Sequence, residues 1–213
     1  MINVILAGVG GQGTVLAAKI LAVAAASRGW NVRTTETIGM AQRGGSVVSH
    51  VRMGNNGEDI HSPMVTRGTA NLIVAFEPGE AARALPYLAR SGTIVMATTP
   101  IEPVSSTLNV SGYDVPEIVE NIQLALYNAM VRNIAQEKGS GSGQARLFTV
   151  DDMAVTDALG GNRKVLNSIM IAEAVRAGCL PFTEEELCAA VTVCVKPQYA
   201  DMNIQAIRMA LGF

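Results

Sequence analysis

The stretch that decides the fold is "INVILAGVGGQGTVLAAKILAVAAASRG", residues 2–29. Its first part, Ile2–Ala7, is an apolar run that stops at a glycine and has the length and composition of a buried strand. The segment Thr14–Arg28 is apolar on nearly every side and ends at Gly29, as a buried helix does. Trp30–Thr35 is predicted to be the next strand and completes a strand–loop–helix–strand unit. Such a unit predicts a parallel sheet with a right-handed crossover.

Strands and helices alternate up to about residue 100, and the rest of the chain is mostly helical. The Gly/Ser-rich residues 139–143, within "EKGSGSGQAR", predict a flexible connector. We therefore expect one α/β domain over residues 1–213: a Rossmann-like, mostly parallel sheet flanked by helices, with a helical C-terminal third packed on the sheet. The further predicted strands are Ser46–Met53, Asn71–Phe76, Thr93–Thr98 and Arg146–Val150, and the further helices are Glu77–Ala89, Val115–Gln136, Asp151–Leu159, Arg163–Ala177, Thr183–Val195 and Pro197–Leu211.

The composition narrows the class of partner. Hydrophobic residues make up 49% of the chain and charged residues only 16%, well below the roughly 25% of ordinary domains. A net charge of −2 predicts no broad attraction to nucleic acid or anionic lipid, and no apolar run is long enough to span a membrane. The apolar surplus favours a subunit interface, with an Ala- and Val-rich core as the alternative. Cys179, Cys188 and Cys194 lack metal-site spacing and predict small buried residues of a reduced, cytoplasmic protein.

The glycine-rich loop is the first candidate site. Gly8, Gly10 and Gly13 match G-x-G-x-x-G between a strand and a helix, the pattern of dinucleotide-binding loops. Glu36 lies 23 residues after Gly13, near the end of the second predicted strand, where a ribose-binding carboxylate is expected. The alternative is that these glycines only allow close packing of helix on sheet.

The second candidate is "GMAQRGGSVVSHVR", residues 39–52, which begins as a loop after the second predicted strand. Arg43 offers a planar, bidentate donor to a carboxylate or phosphate, and the adjacent glycines permit close approach. A surface turn with a solvated arginine is the alternative. The two histidines, His50 and His61, show no metal-site spacing, and neither is predicted to be a catalytic base.

Four motifs occur in a family order: "GVGGQG" at residues 8–13, "GMAQRGGSVVSHVR" at 39–52, "GNRKVLNSIMI" at 161–171 and "LPFTEEEL" at 180–187. In this order the chain resembles the γ-domain of the 2-oxoacid:ferredoxin oxidoreductases. As a free-standing chain of this size, with "KPQYADMNIQAI" at residues 196–207, it is most similar within that family to the β subunits of the indolepyruvate type. The γ subunits of the pyruvate and 2-oxoglutarate types remain an alternative, as does a stand-alone dinucleotide-binding enzyme.

The resemblance implies an accessory role in oxidative decarboxylation of a 2-oxoacid to an acyl-coenzyme A, with electrons passed to ferredoxin. Thiamine diphosphate, Mg and the iron–sulfur clusters are then expected in a catalytic α subunit, with coenzyme A as co-substrate and no cofactor bound by this chain alone. The resemblance also implies that one loop faces the partner or the active site; its residues are Gln42, Arg43, Gly44, Gly45 and Ser46. It implies that the glycine-rich loop is structural or faces the partner; its residues are Gly8, Gly10, Gly11, Gln12 and Gly13. Glu77 and Asn167 match family positions to which no role is assigned.

Overall fold

The computed structural model describes residues 1–39, 45–101, 113–136 and 143–212. The strands in chain order are β1 (Ile2–Val9), β2 (Asn31–Ile38), β3 (Ser46–Gly54), β4 (Ala70–Ala75), β5 (Leu88–Ala97) and β6 (Arg146–Val150). The helices are α1 (Thr14–Ser27), α2 (Pro78–Ala84), α3 (Val115–Gln136), α4 (Asp152–Ala158), α5 (Leu166–Arg176), α6 (Glu184–Cys194) and α7 (Pro197–Leu211), with 3-10 turns at Leu85–Tyr87 and Arg163–Val165.

The strands form one sheet in the order β2-β3-β1-β4-β5-β6. Strands β1, β4, β5 and β6 are parallel to one another, while β3 is antiparallel to both of its neighbours, β1 and β2. Five of the six strands therefore run in the same direction, which confirms the predicted α/β class with a mostly parallel sheet. The insertion of β3 between β1 and β2 was not predicted, because a hairpin partner is chosen by tertiary packing and leaves no local signal.

The central strand β1 is buried on both faces of the sheet. Val4 and Leu6 face one hydrophobic cluster, which also holds α1, α5, α6 and α7 residues. Ile5 and Ala7 face the other cluster, which contains residues of α2 and Ile122 of α3. Alternate side chains of a strand point to opposite faces, so a strand buried on both faces requires an uninterrupted apolar run.

An ion pair joins α6, one of the C-terminal helices, to the end of α1. Arg28 donates from Nε and Nη2 to the two carboxylate oxygens of Glu186, at 2.6 Å each. Glu186 also closes the predicted capping box of α6 with Thr183, so one carboxylate serves both the helix start and the contact with α1. Arg28 lowers the pKa of this carboxyl group, which keeps it ionised. The predicted packing of the C-terminal third on the sheet is confirmed.

Two predicted boundaries were wrong around residue 85. The helix predicted to end at Ala89 stops at Ala84, and β5 begins at Leu88, well before the predicted Thr93. Pro86 explains the early stop, because proline lacks the N–H that a helix interior needs and disfavours helical backbone in the residue before it. The predicted connector lies outside the described residues except for Gly143.

The outer strand β2 is solvent-exposed along most of its length. Only Val32 and Thr35 are half-buried, and the side chain of Ile38 is 67% exposed. In the described part of the chain, β2 pairs with β3 alone. Within those same residues, no helix combines the length and apolarity needed to cross a bilayer.

The buried His50 makes stability depend on pH. Its Nδ1 accepts the N–H of Val65 at 3.2 Å, its ring stacks edge-on against Tyr87, and burial lowers its pKa. The folded state therefore binds fewer protons than the unfolded state below the ordinary histidine pKa of about 6.5. We expect the free energy of unfolding to be highest above about pH 6.5 and to fall by up to about 1.4 kcal/mol per pH unit below it.

Urea unfolding of His50→Gln between pH 7.5 and 5.5, a window chosen to span the usual histidine pKa of about 6.5, measures this contribution. The variant should be less stable at the upper end but lose less stability as the pH falls. His61→Gln, at an exposed position, is the matched control and should keep the wild-type slope. Equal slopes for wild type and His50→Gln would contradict the assignment.

Candidate functional site

The candidate site lies at the edge of the sheet where the parallel strands end. Strands β1, β4, β5 and β6 all finish there, and the antiparallel β3 begins there at Ser46. Ligands of open α/β sheets bind at this edge, because the loops that follow the strands converge on it. The structure brings the glycine-rich loop, which follows β1, to this edge together with the two described ends of the second loop, Gly39 after β2 and Gly45 before β3.

The glycine-rich loop is held in place by the side chain of Gln12. Its Oε1 accepts the N–H of Val9 at 2.7 Å, and its Nε2 donates to the carbonyl of Phe76 at 2.6 Å. The amide thus joins the end of β1 to the residue that follows β4. Gly8 leaves room for this arrangement, because a Cβ there would lie 2.9 Å from both Gln12 Oε1 and Thr14 Cγ2.

Two further glycines shape the rest of the loop. Gly11 and Gly13 have positive φ angles of 99° and 84°, which only glycine adopts readily. The N–H of Gly10 donates to the carbonyl of Gly45 at 2.9 Å and so ties this loop to the start of β3. The glycine-rich loop and the segment before Ser46 are therefore in direct contact.

Ser46 anchors the second loop to a buried carboxylate. Its Oγ donates to Glu80 Oε2 at 2.5 Å, and its carbonyl accepts the N–H of Gly39 at 2.8 Å. These contacts place Ser46 and Gly45 at the sheet edge. Gln42, Arg43 and Gly44 lie outside the described residues, so their predicted role stays a prediction.

Helix α2 begins with two carboxylates that are each only 2% exposed, Glu77 and Glu80. Glu77 caps the helix by accepting the N–H of Glu80 at 3.0 Å. It also accepts a hydrogen bond from Tyr113 Oη, which in turn accepts the N–H of Gly79. Glu80 pairs with Arg83 as well as with Ser46. Burial and the contact with Glu77 raise the pKa of Tyr113, so its hydroxyl stays protonated.

A third carboxylate, Asp152, joins the ends of β5 and β6. Its side chain is fully buried and accepts the N–H of Thr99 at 3.1 Å and the hydroxyl of the same residue at 2.8 Å. Arg163 Nη2 donates to its other oxygen at 3.0 Å. Sequence reasoning missed Glu80, Tyr113 and Asp152. The available signal for Asp152 was the pair of acidic residues, Asp151 and Asp152, that follows the predicted strand Arg146–Val150.

Glu36 is not placed for ribose binding. It lies on β2, exposed, opposite Ser49 of β3, so the whole of β3 separates it from the glycine-rich loop after β1. Two strand spacings amount to about 10 Å, whereas the dinucleotide pattern requires the second strand to lie directly beside the first. The predicted ribose-binding position was therefore wrong, because the sequence did not reveal the strand inserted between the two.

Asn167 lies against the glycine-rich loop. It is 2% exposed, belongs to α5, and its Nδ2 would be 3.3 Å from a Cβ on Gly13. The two family positions without a derived role, Glu77 and Asn167, thus both lie next to the loops at the sheet edge.

With this geometry established, comparison with known proteins identifies the class. Residues 3–213 match the family model described as pyruvate ferredoxin/flavodoxin oxidoreductase, and the chain belongs to this family. The resemblance inferred from the four motifs is confirmed.

Two relatives of the chain narrow the type of oxidoreductase subunit within this family. The chain is 32% identical over 209 residues to the indolepyruvate oxidoreductase subunit IorB of Thermococcus kodakarensis, covering 98% of this chain and 94% of that protein. It is 31% identical over 209 residues to the subunit of the same name from Pyrococcus horikoshii, with the same coverage of both chains.

Solved structures share the fold. The γ subunit of a keto/oxoacid ferredoxin oxidoreductase from Geobacter sulfurreducens superposes with a TM-score of 0.65 at 17% identity, covering 99% of this chain and 96% of that chain. A 2-oxoglutarate:ferredoxin oxidoreductase from Magnetococcus marinus gives a TM-score of 0.65 at 13% identity and covers 98% of this chain, but only 30% of that chain. The same fold therefore occurs both as a separate subunit and as part of a longer polypeptide.

Among the glycines of this loop, Gly8 is the one at which an added Cβ would make the closest contacts. In Gly8→Ala the new methyl group would press on Gln12, Thr14 and Phe76, the last at 3.1 Å, so the Gln12 bridge must shift. We expect a loss of about 1–3 kcal/mol in the free energy of unfolding, as for other overpacked sites. Gly10→Ala is the matched control, because among the described residues its Cβ would meet the carbonyl of Gly45 alone, at 3.7 Å. Chemical denaturation of both variants measures the difference, and equal stabilities would contradict the packing argument.

Proposed function

We propose that this chain is the accessory β (γ-type) subunit of a thiamine diphosphate-dependent indolepyruvate:ferredoxin oxidoreductase. The complex would decarboxylate an arylpyruvate, transfer the acyl group to coenzyme A and pass the electrons to ferredoxin. The observation that carries the proposal is the similarity to IorB subunits over 98% of the chain. The likeness to a pyruvate oxidoreductase subunit from Thermotoga maritima, at 18% identity, supports the fold alone, so the indolepyruvate type is preferred over the pyruvate type.

The chemistry of the side chains supports placing the cofactors in a catalytic partner. Iron–sulfur clusters are held by four cysteine thiolates, whereas the chain has three cysteines, Cys179, Cys188 and Cys194. A Mg²⁺ ion that bridges a diphosphate needs free carboxylate oxygens. The two buried carboxylates of α2 are instead bound to Tyr113, Ser46 and Arg83. These residues do not fit either group, so no step of the reaction is assigned to them.

The proposed contact surface is the edge at which the parallel strands end. Glu80 and Gln12 hold the two loops there against the sheet, and the glycines at positions 10 and 45 bring the two backbones together. The described ends of the second loop, Gly39 and Gly45, are held at this edge, and its sequence contains one arginine, a residue type suited to contacts with carboxylate or phosphate groups of a partner. The segment Gln42–Ser46 is accordingly proposed as the part nearest the catalytic subunit. Dinucleotide binding is disfavoured by the position of Glu36.

Co-expression tests the assembly. When produced with a subunit that carries thiamine diphosphate and iron–sulfur clusters, the chain should co-purify in a stable complex. That complex should reduce ferredoxin with indolepyruvate and coenzyme A, and this chain alone should be inactive. Ferredoxin reduction with pyruvate or 2-oxoglutarate in place of indolepyruvate distinguishes the indolepyruvate type of complex from the pyruvate and 2-oxoglutarate types. A chain that remains monomeric beside a correctly folded catalytic subunit would contradict the proposal.

Arg43→Ala tests the loop assignment. We expect turnover of the reconstituted complex to fall at least about tenfold, since losing one charged hydrogen bond costs about 1.5–3 kcal/mol. The melting temperature of the free chain should not change. Arg67→Ala is the control, because Arg67 is exposed just before β4, at the opposite edge of the sheet, and its removal should leave turnover unchanged. If the two variants behave alike in the turnover assay, the loop is not the contact surface.

A further inference from the structure

Helix α3 carries a row of exposed apolar side chains on the side that faces away from the sheet. Leu124, Tyr127 and Val131 are 54%, 57% and 44% exposed. On the other side of the same helix, Ile122 is 1% exposed and belongs to the hydrophobic cluster that also contains residues of α2. An α-helix turns by about 100° per residue, so the three exposed residues lie roughly 140–200° around the helix axis from Ile122. The helix is therefore apolar on two opposite sides, and the rest of the described chain covers one of them.

The exposed row has the spacing of residues that pack one helix against another. The steps from Leu124 to Tyr127 and from Tyr127 to Val131 are three and four residues, and the same alternation continues back to Glu120 and Glu117. Apolar residues at alternating steps of three and four are the pattern by which two helices pair side by side. A helix that only covers a sheet needs one apolar side. The second apolar side of α3 therefore indicates that another helix packs on it.

The charged residues at the two ends of this row decide which helix fits. Glu120 precedes the apolar residues, Arg132 follows them, and both are exposed. A second copy of α3 that runs in the same direction would place two Glu120 side chains together, which is repulsive. A copy that runs in the opposite direction places Glu120 of each copy beside Val131 and Arg132 of the other. In the same register, Leu124 of each copy packs against Tyr127 of the other, so the row is complementary to itself.

We infer that the exposed row of α3 is a self-association surface, through which two copies of this chain pair antiparallel about a two-fold axis. Every contact of such an interface occurs twice, because the same patch is used on both copies. Two layers of Leu124 against Tyr127 lie at the centre, where large buried side chains contribute most to binding. Two Glu120–Arg132 pairs flank these layers. One pair of helices is a small interface, so we expect a dissociation constant on the order of micromolar.

The self-association surface is separate from the candidate functional site. Helix α3 begins at Val115, beside the sheet edge where Tyr113 contacts Glu77. It connects the end of β5 to the start of the parallel strand β6, so it runs away from that edge. Leu124 lies nine residues after Val115, about 14 Å further along the helix. Pairing through this row leaves the sheet edge free for a catalytic subunit, and the inference does not rest on the proposed function.

Sedimentation velocity of the full chain provides the direct test. Concentrations on both sides of the expected dissociation constant should show a reversible monomer–dimer equilibrium. Glu120→Arg and Arg132→Glu should each weaken the dimer at least about tenfold, because each brings like charges together at both ends of the interface. The double variant should recover the affinity of the wild type, since the exchange restores both ion pairs. A wild-type chain that stays monomeric throughout, or a double variant no better than the single ones, would overturn the inference.

Leu124→Glu tests the apolar centre of the surface. The variant should be folded by circular dichroism, because the side chain is exposed, but monomeric at concentrations where the wild type is a dimer. Val193→Glu is the matched control, since Val193 is 69% exposed on α6, which packs on the opposite face of the sheet. It should dimerise like the wild type. If Leu124→Glu keeps the dimer but no longer co-purifies with a catalytic subunit, the row binds that subunit and the inference is wrong.

Discussion

The arrangement at the sheet edge depends on one amide, the side chain of Gln12. Its Oε1 accepts the N–H of Val9 and its Nε2 donates to the carbonyl of Phe76. The glycine-rich loop and the residue after β4 are therefore held at a fixed separation. Amides that are hydrogen-bonded through both their oxygen and their nitrogen fix geometry more strictly than apolar contacts do, since hydrogen bonds tolerate little displacement. The absence of a side chain at position 8 is the condition for this bridge.

The features that the sequence predicted are those that depend on local patterns. The bounds of α3, α7 and β6 agree with the prediction, and in the two helices a proline in the first turn marks the start. The glycine-rich loop was placed correctly from its local glycine pattern. The bridge formed by Gln12 was not foreseen, since an amide side chain carries no sign of what it will bind.

The features that the sequence missed join residues far apart in the chain. Tyr113 meets Glu77 across 36 positions, and Thr99 meets Asp152 across 53. The predicted ribose-binding role of Glu36 has a related problem. The distance of Glu36 from the glycine-rich loop depends on which strand is inserted between β1 and β2. Strand order is set by the packing of the whole sheet, and a single sequence records it only indirectly.

The exposed outer strand has a consequence for how such a chain is made. In the described structure, the outer edge of β2 has a row of peptide groups without a neighbouring strand. The threonines, Arg33 and Glu36 of this strand favour hydration of those peptide groups. Unpaired edges of this kind nucleate association between copies when chains accumulate faster than they are covered. The charged and hydroxyl side chains along β2 therefore act against edge-to-edge pairing between copies of the chain, an association that would compete with native folding.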